Sequence, residues 1–176
     1  YNSEHLDASV LLMEPYGFLD SKNEKYIKTV KAIEKDLLKD GLMYRYKNID
    51  DFGLPSSSFT VCSFWLIDSL FKIGEEKKAI KLFDNLLKFS KHLNLFSEDI
   101  DFKSKRMLGN FPQAYSHLAL IDTALNFNLK LDSTIKKKLS KDDLKKLDCK
   151  DKKSKINKIF NNLIGKKGGY KLKRNQ

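Results

Sequence analysis

A cluster of carboxylates lies in the middle of the chain, in the segment LFSEDIDFKSKRMLGNFPQAYSH at residues 95–117. Glu98, Asp99 and Asp101 stand within four consecutive positions, and the turn-forming run GNFPQ follows at 109–113. Catalytic side chains often lie in polar segments that a rigid scaffold holds. A carboxylate in such a segment can act as a general base. Each of the three can equally be a solvated loop acid or a helix cap, and composition does not rank them.

Two further side chains could bind a polar ligand. Arg45 lies between two tyrosines in a long connection, where it can hold a ligand's hydroxyl groups or pair with Asp50 or Asp51. Trp65 lies in an apolar run, where it is either a core residue or a face on which a sugar ring stacks.

The residues after the carboxylates have similar alternatives. Asn110 and Gln113 are amides next to Gly and Pro, so they can shape a loop by hydrogen bonding or contact a substrate. His117 follows on a predicted helix, where a histidine with satisfied hydrogen bonds is favoured over a catalyst.

Other kinds of chemistry find no support in the sequence. It contains no glycine-rich phosphate loop and no convincing Ser/His/Asp or Cys/His set. Cys62 and Cys149 are far apart and form no metal-ligand spacing. We therefore expect no metal and no cofactor, and we expect Cys62 to be a small core residue.

The apolar periodicity predicts an all-α fold in which amphipathic outer helices alternate with more buried inner ones. A capping box at Ser21–Glu24 predicts a helix start, and Gly41 a helix end. The expected helices span about residues 6–13, 22–39, 59–73, 75–91 and 113–126. No convincing strand is predicted beyond a possible short pair near 43–46. Such alternation is typical of an α/α toroid.

The net charge of +11 belongs to the C-terminal part of the chain. Residues 130–176 contain 17 Lys and Arg against 5 Asp and Glu, whereas the remainder is nearly neutral. We therefore predict a domain at 1–128 and a Lys-rich, partly helical or disordered tail at 129–176, with disorder from 165 onward. The tail lacks interleaved arginine and aromatic residues, so nucleic acid is not an expected partner.

No signal peptide is visible in the sequence. No apolar run approaches the roughly 18 residues that a membrane span needs, which favours a cytoplasmic location without a membrane partner. The chain begins at Tyr1 rather than Met, so we expect residues to precede it.

Four segments together resemble glycoside hydrolase family 15, which includes glucoamylases, glucodextranases and prokaryotic trehalases. They are the N-terminal EHLDASVLL, then GLMYRY at 41–46, FTVCSFWLIDSL at 59–70 and LFSEDIDFKSKRMLGNFPQAYSHLALIDTAL at 95–125. The resemblance covers about residues 2–128 in the family's order. It implies that residues 1–128 are the C-terminal half of a six-hairpin α/α barrel, with about five to six barrel helices.

The resemblance also implies roles for particular residues. The family inverts the anomeric carbon with a general acid and a general base, and Ser97-Glu98 matches the loop that carries the base. Glu98 is therefore the implied base. Arg45 matches an arginine that contacts the sugar, and we add Trp65, Asn110 and Gln113 as candidate substrate contacts. The implied substrate is an α-glucoside oligosaccharide, glucoamylase-like exo-hydrolysis being preferred, or trehalose as the alternative.

The chain departs from the family pattern in three places. Lys105-Arg106 stands where many relatives have Gly-Glu, and Ser56-Ser57 where many bacterial relatives have Glu-Gly. No segment matches the motif of the general acid, so we expect that residue upstream of Tyr1, in the other half of the barrel. The competing hypothesis is a non-catalytic helical fragment with a basic interaction tail.

Overall fold

The computed structural model describes the backbone of residues 5–51 and 53–138, and the side chains of these residues as far as Lys130. Helices make up the larger part of that range, so the predicted helical class is confirmed. The chain divides into two units, Tyr1–Asn128 and Leu129–Gln176, and the carboxylate cluster belongs to the first. Among the described residues, no helix is long and apolar enough to cross a membrane. The tail predicted beyond residue 138, including its disorder, lies outside the described residues.

Helix α2 forms the centre of the first unit and confirms the predicted buried helix. The helices of the described range are α1 (Glu24–Leu37), α2 (Thr60–Lys72), α3 (Glu76–Leu87) and α4 (Ala114–Lys138), with 3₁₀ helices at Ala8–Met13 and Lys88–Leu93. Because α2 is apolar nearly all round, it can be buried on every side. Phe64 and Cys62 are fully buried in it, as expected for Cys62, and burial raises the pKa of the Cys62 thiol.

The predicted boundaries of the other helices need correction. The first helix is a 3₁₀ helix that Asp7 caps by accepting a hydrogen bond from the Ser9 N–H at 2.8 Å. The Ser21–Glu24 capping box does not form, because Asn23 caps α1 by accepting from the Lys25 N–H at 2.9 Å. The fourth predicted helix, expected at 75–91, ends at Leu87 and is followed by the second 3₁₀ helix, whereas α4 continues beyond its predicted end near 126.

Gly41 does not cap α1. The helix ends at Leu37, and strands β1 (Leu38–Lys39) and β2 (Leu42–Met43) follow as an antiparallel hairpin. Asp40 and Gly41 both have left-handed backbone angles, φ 52° and 78°. Asp-Gly is a preferred pair for a two-residue hairpin turn with two positive φ angles, so the glycine belongs to the turn rather than to a helix end.

A small three-stranded antiparallel sheet was not predicted. It consists of β3 (Ser57–Phe59), β4 (Asp99–Asp101) and β5 (Met107–Leu108), in the order β3-β4-β5. Strands of two or three residues are too short to show an alternating apolar pattern. The sheet joins the N-terminal end of α2 to the segment that carries the carboxylates, so it positions the candidate site.

Candidate active site

Glu98 directly precedes β4, the central strand of this sheet, and its backbone is not free. Its N–H donates to the carbonyl oxygen of Asn110 at 2.9 Å, and its own carbonyl accepts from the Thr60 N–H at 2.9 Å. The backbone of Glu98 is therefore hydrogen-bonded on both sides, to the segment after β5 and to the first residue of α2. These bonds fix the predicted loop at this point, which restricts the positions that the carboxylate can reach.

The Glu98 carboxylate is held by one residue, Asn110. Both the backbone N–H and the side-chain Nδ2 of Asn110 donate to Glu98 Oε2, at 3.2 and 3.0 Å. Two donors on one oxygen fix the carboxylate in orientation while the side chain remains partly accessible to solvent. A general base needs this combination of a fixed acceptor and access to water.

Gly109 makes room for this carboxylate. A Cβ atom on residue 109 would lie 2.9 Å from Glu98 Oε2 and 3.0 Å from Glu98 Cβ. The backbone of Gly109 is also left-handed, with φ +74°, a conformation that side chains with a Cβ rarely adopt. Glycine is therefore required here for two independent reasons, and the first of them concerns the space that Glu98 occupies.

The other two acids of the cluster have separate surroundings. The Ser57 hydroxyl donates to Asp99 Oδ2 at 2.5 Å; burial, and secondarily the neighbouring charge of Glu98, raise the pKa of the Asp99 carboxyl despite that hydrogen bond. Asp101 accepts from the Ser104 N–H at 2.5 Å in the turn that follows β4, and hydrogen bonds from Ser104 lower the pKa of Asp101. Asp101 is thus a turn residue, whereas Asp99 is a half-buried carboxyl.

A cleft of about 290 Å³ adjoins the sheet. Its lining residues come from the connection before α2 and from β3 and β4, and they are Arg45, Tyr46, Asp50, Gly53, Leu54, Pro55, Ser56, Ser57, Phe59 and Asp99. The lining combines a guanidinium group, carboxylates and hydroxyl groups with a few apolar side chains. Such a mixture suits a polar ligand that has apolar faces, as a sugar ring has.

Arg45 is fixed beside this cleft. Its carbonyl oxygen accepts from the Ala8 N–H at 2.8 Å, and its Nε lies 3.5 Å from Asp7 Oδ2. The guanidinium carbon lies 5.6 Å from the centre of the Tyr46 ring. About half of the side chain is exposed, so donor groups of Arg45 remain accessible beside the cleft on a fixed backbone.

Gln113 and His117 join the start of α4 to the segment of Glu98. The Gln113 N–H donates to the Phe96 carbonyl at 2.9 Å, and the Ser116 hydroxyl, 2.6 Å from Gln113 Oε1, also lies 3.1 Å from the Ser97 carbonyl. His117 Nε2 accepts from the Phe96 N–H at 3.2 Å, and its Nδ1 lies 2.6 Å from the Gln113 carbonyl. His117 is therefore the satisfied structural histidine that the sequence favoured. The side-chain oxygen of Gln113 is used inside the protein, and its contact with substrate stays a prediction.

Trp65 lies on α2 and is partly buried. Its ring contacts the ring of Tyr115 edge to face, at 5.8 Å between centroids. Tyr115 is half exposed on α4. The two rings form an aromatic pair, but the lining of the cleft includes neither of them. A stacking role for Trp65 thus also stays a prediction.

Two residues of this site were not predicted to contact each other. The sequence left Asp99 unranked among the three acids and gave Ser57 only as a departure from the family pattern, whereas their side chains form a hydrogen bond across β3 and β4. A paired serine and aspartate 42 residues apart leave no local signal. Among the described residues, no group of three His, Cys, Asp or Glu side chains could hold a metal ion.

The chain is similar to known proteins along most of its first unit. The family model of glycosyl hydrolases family 15 matches residues 1–125. A trehalase of Mycobacterium tuberculosis is 44% identical over 129 residues, covering 72% of this chain and 19% of the relative. A trehalase of Thermoplasma volcanium is 39% identical over 142 residues, covering 80% of this chain and 22% of the relative. The chain thus spans about a fifth of the length of the curated relatives it matches.

Solved structures share the fold. Two glycosidase chains, one wild type and one carrying a single substitution, superpose with TM-scores of 0.58 and 0.60 at 18% identity. In each case 73% of this chain covers 37% of the glycosidase chain. Alternating inner and outer helices therefore form part of a glycosidase-type α/α barrel, as the sequence predicted. With its family model matched from residue 1 to residue 125, the chain belongs to glycosyl hydrolases family 15.

Proposed function

We propose that the protein containing this chain is an inverting glycoside hydrolase that cleaves α-linked glucosides, with Glu98 as its general base. The observation that carries the proposal is the carboxylate of Glu98, fixed by two donors from Asn110 on a backbone hydrogen-bonded on both sides. Family membership supports the reaction class, since the segment Ser97-Glu98 matches the family's base-bearing segment.

The proposed reaction divides into two proton transfers. Glu98 removes a proton from a water molecule as that water attacks the anomeric carbon, and a general acid protonates the leaving oxygen. An inverting pair of carboxyl groups stands roughly 6.5–9.5 Å apart to admit the water. The acid must therefore come from a different segment, and we assign it to the remaining part of the barrel.

Trehalose is the substrate that we propose first. Sequence analysis preferred glucoamylase-like hydrolysis of oligosaccharides, with trehalose as the alternative. The relatives at 44% and 39% identity are both named trehalases, which favours the alternative. Arg45 lies beside a cleft with room for about one sugar ring and can donate hydrogen bonds to ring hydroxyl groups.

The outer face of α4 is apolar, which supports the proposal that the rest of the same barrel packs against it. Leucines and an isoleucine at helical spacing are half or more exposed on it, namely Leu118, Ile121, Leu125 and Leu129. The opposite face of the same helix packs on the core through small residues, among them Ser116, Ala119 and Thr123. A helix that is apolar on its outer face needs a cover. We propose that helices of the remaining barrel supply it.

The base is tested by Glu98→Gln in the complete barrel, with trehalose and maltose as substrates. Because the amide cannot accept the water's proton, we expect kcat to fall by roughly 10²- to 10⁴-fold. The control is Asp101→Asn, which changes an acid of the turn after β4, and its kcat should stay within a few-fold of the parent's. A small anionic nucleophile needs no base, so azide should restore turnover to Glu98→Ala and give the β-glucosyl azide. Full activity of Glu98→Gln would remove Glu98 from the mechanism.

A further inference from the structure

The cleft beside the sheet presents donors and acceptors at once. Arg45 offers N–H groups, and Asp99 and Asp50 offer carboxylate oxygens. Asp50 already accepts a hydrogen bond from the Tyr46 hydroxyl, whereas Asp99 directly follows Glu98 in the chain. The volume of about 290 Å³ lies near the lower limit of ligand pockets, about 300 Å³. The cleft therefore suits one small polar ring rather than a long chain.

Among the described residues, the side-chain donors use only part of the acceptor capacity of Asp99. Ser57 donates to Oδ2 at 2.5 Å, and within residues 5–51 and 53–130 no second side chain donates to this carboxylate. A carboxylate has about four acceptor sites on its two oxygens, and a half-buried one is stabilised by each further donor. Burial raises the pKa of Asp99 more than the hydrogen bond from Ser57 lowers it, which is consistent with a carboxyl that has few donors. A sugar hydroxyl is a donor of the right kind.

The position of Asp99 relative to Glu98 is rigid. Asp99 pairs with Phe59 on one side and Leu108 on the other, and Glu98 is hydrogen-bonded on both sides as well. The backbone of Asp99 is thereby fixed next to that of Glu98, and the lining of the cleft includes Asp99 but not Glu98. Ser57 contributes by orienting the Asp99 carboxylate from the neighbouring strand.

We propose that Asp99 is a specificity-determining residue that accepts a hydrogen bond from one ring hydroxyl of the α-glucoside, with Ser57 as its positioning residue. This inference rests on the proposed function, since it names a substrate contact in the cleft beside the strand that follows Glu98. It separates the roles of the two adjacent carboxylates: Glu98 acts on water, and Asp99 holds the sugar.

The test compares Asp99→Asn with the parent in the complete barrel. Loss of a charged hydrogen bond to substrate should raise KM for trehalose by about 10- to 100-fold, with kcat changed only a few-fold. Asp101→Asn is the matched control, because it removes a neighbouring carboxylate of the same strand outside the cleft, and its KM should match the parent's. An unchanged KM in Asp99→Asn overturns the inference.

Monodeoxy analogues of trehalose identify the hydroxyl that Asp99 binds. One analogue should lose about 10- to 100-fold in kcat/KM with the parent, and the same analogue should lose little more with Asp99→Asn, since the contact is already absent. A merely structural Asp99 would lower kcat/KM for every analogue by a common factor, and that result overturns the inference.

Ser57 gives an independent variant if Asp99→Asn folds poorly. Ser57→Ala should raise KM several-fold, and Ser57→Thr, which keeps the hydroxyl, should restore it; equal KM values in all three forms contradict the positioning role. The experiments distinguish failure of this inference from failure of the proposed function. An active parent that Glu98→Gln inactivates, together with a normal KM in Asp99→Asn, overturns only the inference, whereas a parent inactive on every α-glucoside overturns both.

Discussion

Gly109 shows how a single hydrogen atom can preserve the position of the proposed base, Glu98. Its missing side chain leaves the space that Glu98 Oε2 and Cβ occupy, 2.9 and 3.0 Å from where a Cβ would lie. Asn110, the next residue, then holds the carboxylate with two N–H donors. The segment after β5 thus performs two tasks: one residue clears the space, and the next one orients the group.

Gly109→Ala should lower both the stability and the activity of the complete barrel. Measuring the two separately distinguishes the backbone cost from the displacement of Glu98. A left-handed alanine costs about 1–2 kcal/mol of folding free energy, and the added methyl group also displaces Glu98. We expect kcat of the complete barrel to fall at least about 10-fold, by analogy with other displaced catalytic groups. Measurements of kcat and of the free energy of unfolding on the same variant test both effects.

Gly17→Ala is the control for the backbone cost alone. Gly17 has nearly the same backbone angle, φ +72°, but nothing lies within 4 Å of where its Cβ would be. It should lose a similar free energy of unfolding and keep its kcat. If both variants lost kcat equally, the contact between residue 109 and Glu98 would have no special role.

At the level of the site, the resemblance implies that Glu98 is the base, but the sequence could not show how the residue is held. The family pattern places a glutamate after Ser97. A pattern of adjacent residues of this kind can be read from the sequence alone. The contacts that orient it join Glu98 to Asn110 and Thr60, and Asp99 to Ser57. These partners are 12 to 42 residues apart, so only the folded chain brings them together.

At the scale of elements, a partly buried polar cluster links the C-terminal end of α2 to its neighbours. Lys72 Nζ lies 2.6 Å from Glu14 Oε2 and 3.0 Å from Asp68 Oδ2, and Asn126 Nδ2 donates to Asp68 Oδ1 at 2.8 Å. Burial raises the pKa of Asp68, and Lys72 only partly offsets that effect. Burial alone would lower the pKa of Lys72, but its bonds to Glu14 and Asp68 outweigh burial and raise it. Lys72 is thus the shared counter-charge.

Lys72→Met should destabilise the chain because it leaves two carboxylates without their common cation. Removing one partner of a fully buried pair costs about 3–5 kcal/mol, and since Lys72 is 22% exposed we expect about 2 kcal/mol. The matched control is Lys28→Met, which breaks an i,i+4 pair with Glu24 that is 80% and 86% exposed. Exposed pairs contribute little, so its free energy of unfolding should change by less than about 0.5 kcal/mol.

The pH dependence of this loss has a definite sign. A carboxyl whose pKa is raised by folding binds more protons in the folded state than in the unfolded state. Acidification therefore increases the contribution of Asp68 to the free energy of unfolding. In Lys72→Met the unpaired Asp68 charge should cost most at neutral pH, and the deficit should shrink as pH falls toward the raised pKa of Asp68. Denaturant titrations at several pH values measure it. A deficit that grows on acidification would contradict this account.

The elements themselves were predictable to different degrees. The buried helix α2 was found almost to the residue, because thirteen residues of apolar sequence give a strong signal. The hairpin at Asp40-Gly41 and the sheet β3-β4-β5 were missed or misassigned, because their strands are two or three residues long. Such strands form through pairing with distant segments, and pairing leaves no periodic pattern. The candidate site is therefore positioned by short strands, which are the elements that are hardest to predict from the sequence.

At the scale of the whole molecule, α4 differs from α1 and α3 in the face that it exposes. The outward positions of α1 and α3 are mainly lysines and acids, among them Lys25, Lys28, Glu76, Lys77 and Lys81. Leu118 and Leu125 of α4 are instead 59% and 53% exposed. The same chain therefore builds solvent-facing helices with charged residues, and α4 has the composition of a helix that packs on two sides.

We expect the 176-residue chain alone to hydrolyse neither trehalose nor maltose, because one carboxylate cannot supply both the acid and the base of an inverting reaction. Mixing it with the separately produced remainder of the barrel should restore turnover, as the apolar face of α4 becomes covered. Binding of a hydrophobic dye should fall at the same stoichiometry at which activity rises. Turnover by the chain alone would contradict the assignment of the acid to the remaining part of the barrel.

Two substitutions on α4 test whether that face is the contact. The double variant Leu118→Lys, Leu125→Lys should leave the stability of the isolated chain nearly unchanged, since both side chains are already exposed. It should lower the recovered activity at least about 10-fold, because two buried charges oppose association. Leu93→Lys is the control: it is 54% exposed and lies on the second 3₁₀ helix rather than on α4. Equal recovery by the double variant and the control would show that the remaining helices cover another surface, and the exposed leucines of α4 would then need a different occupant.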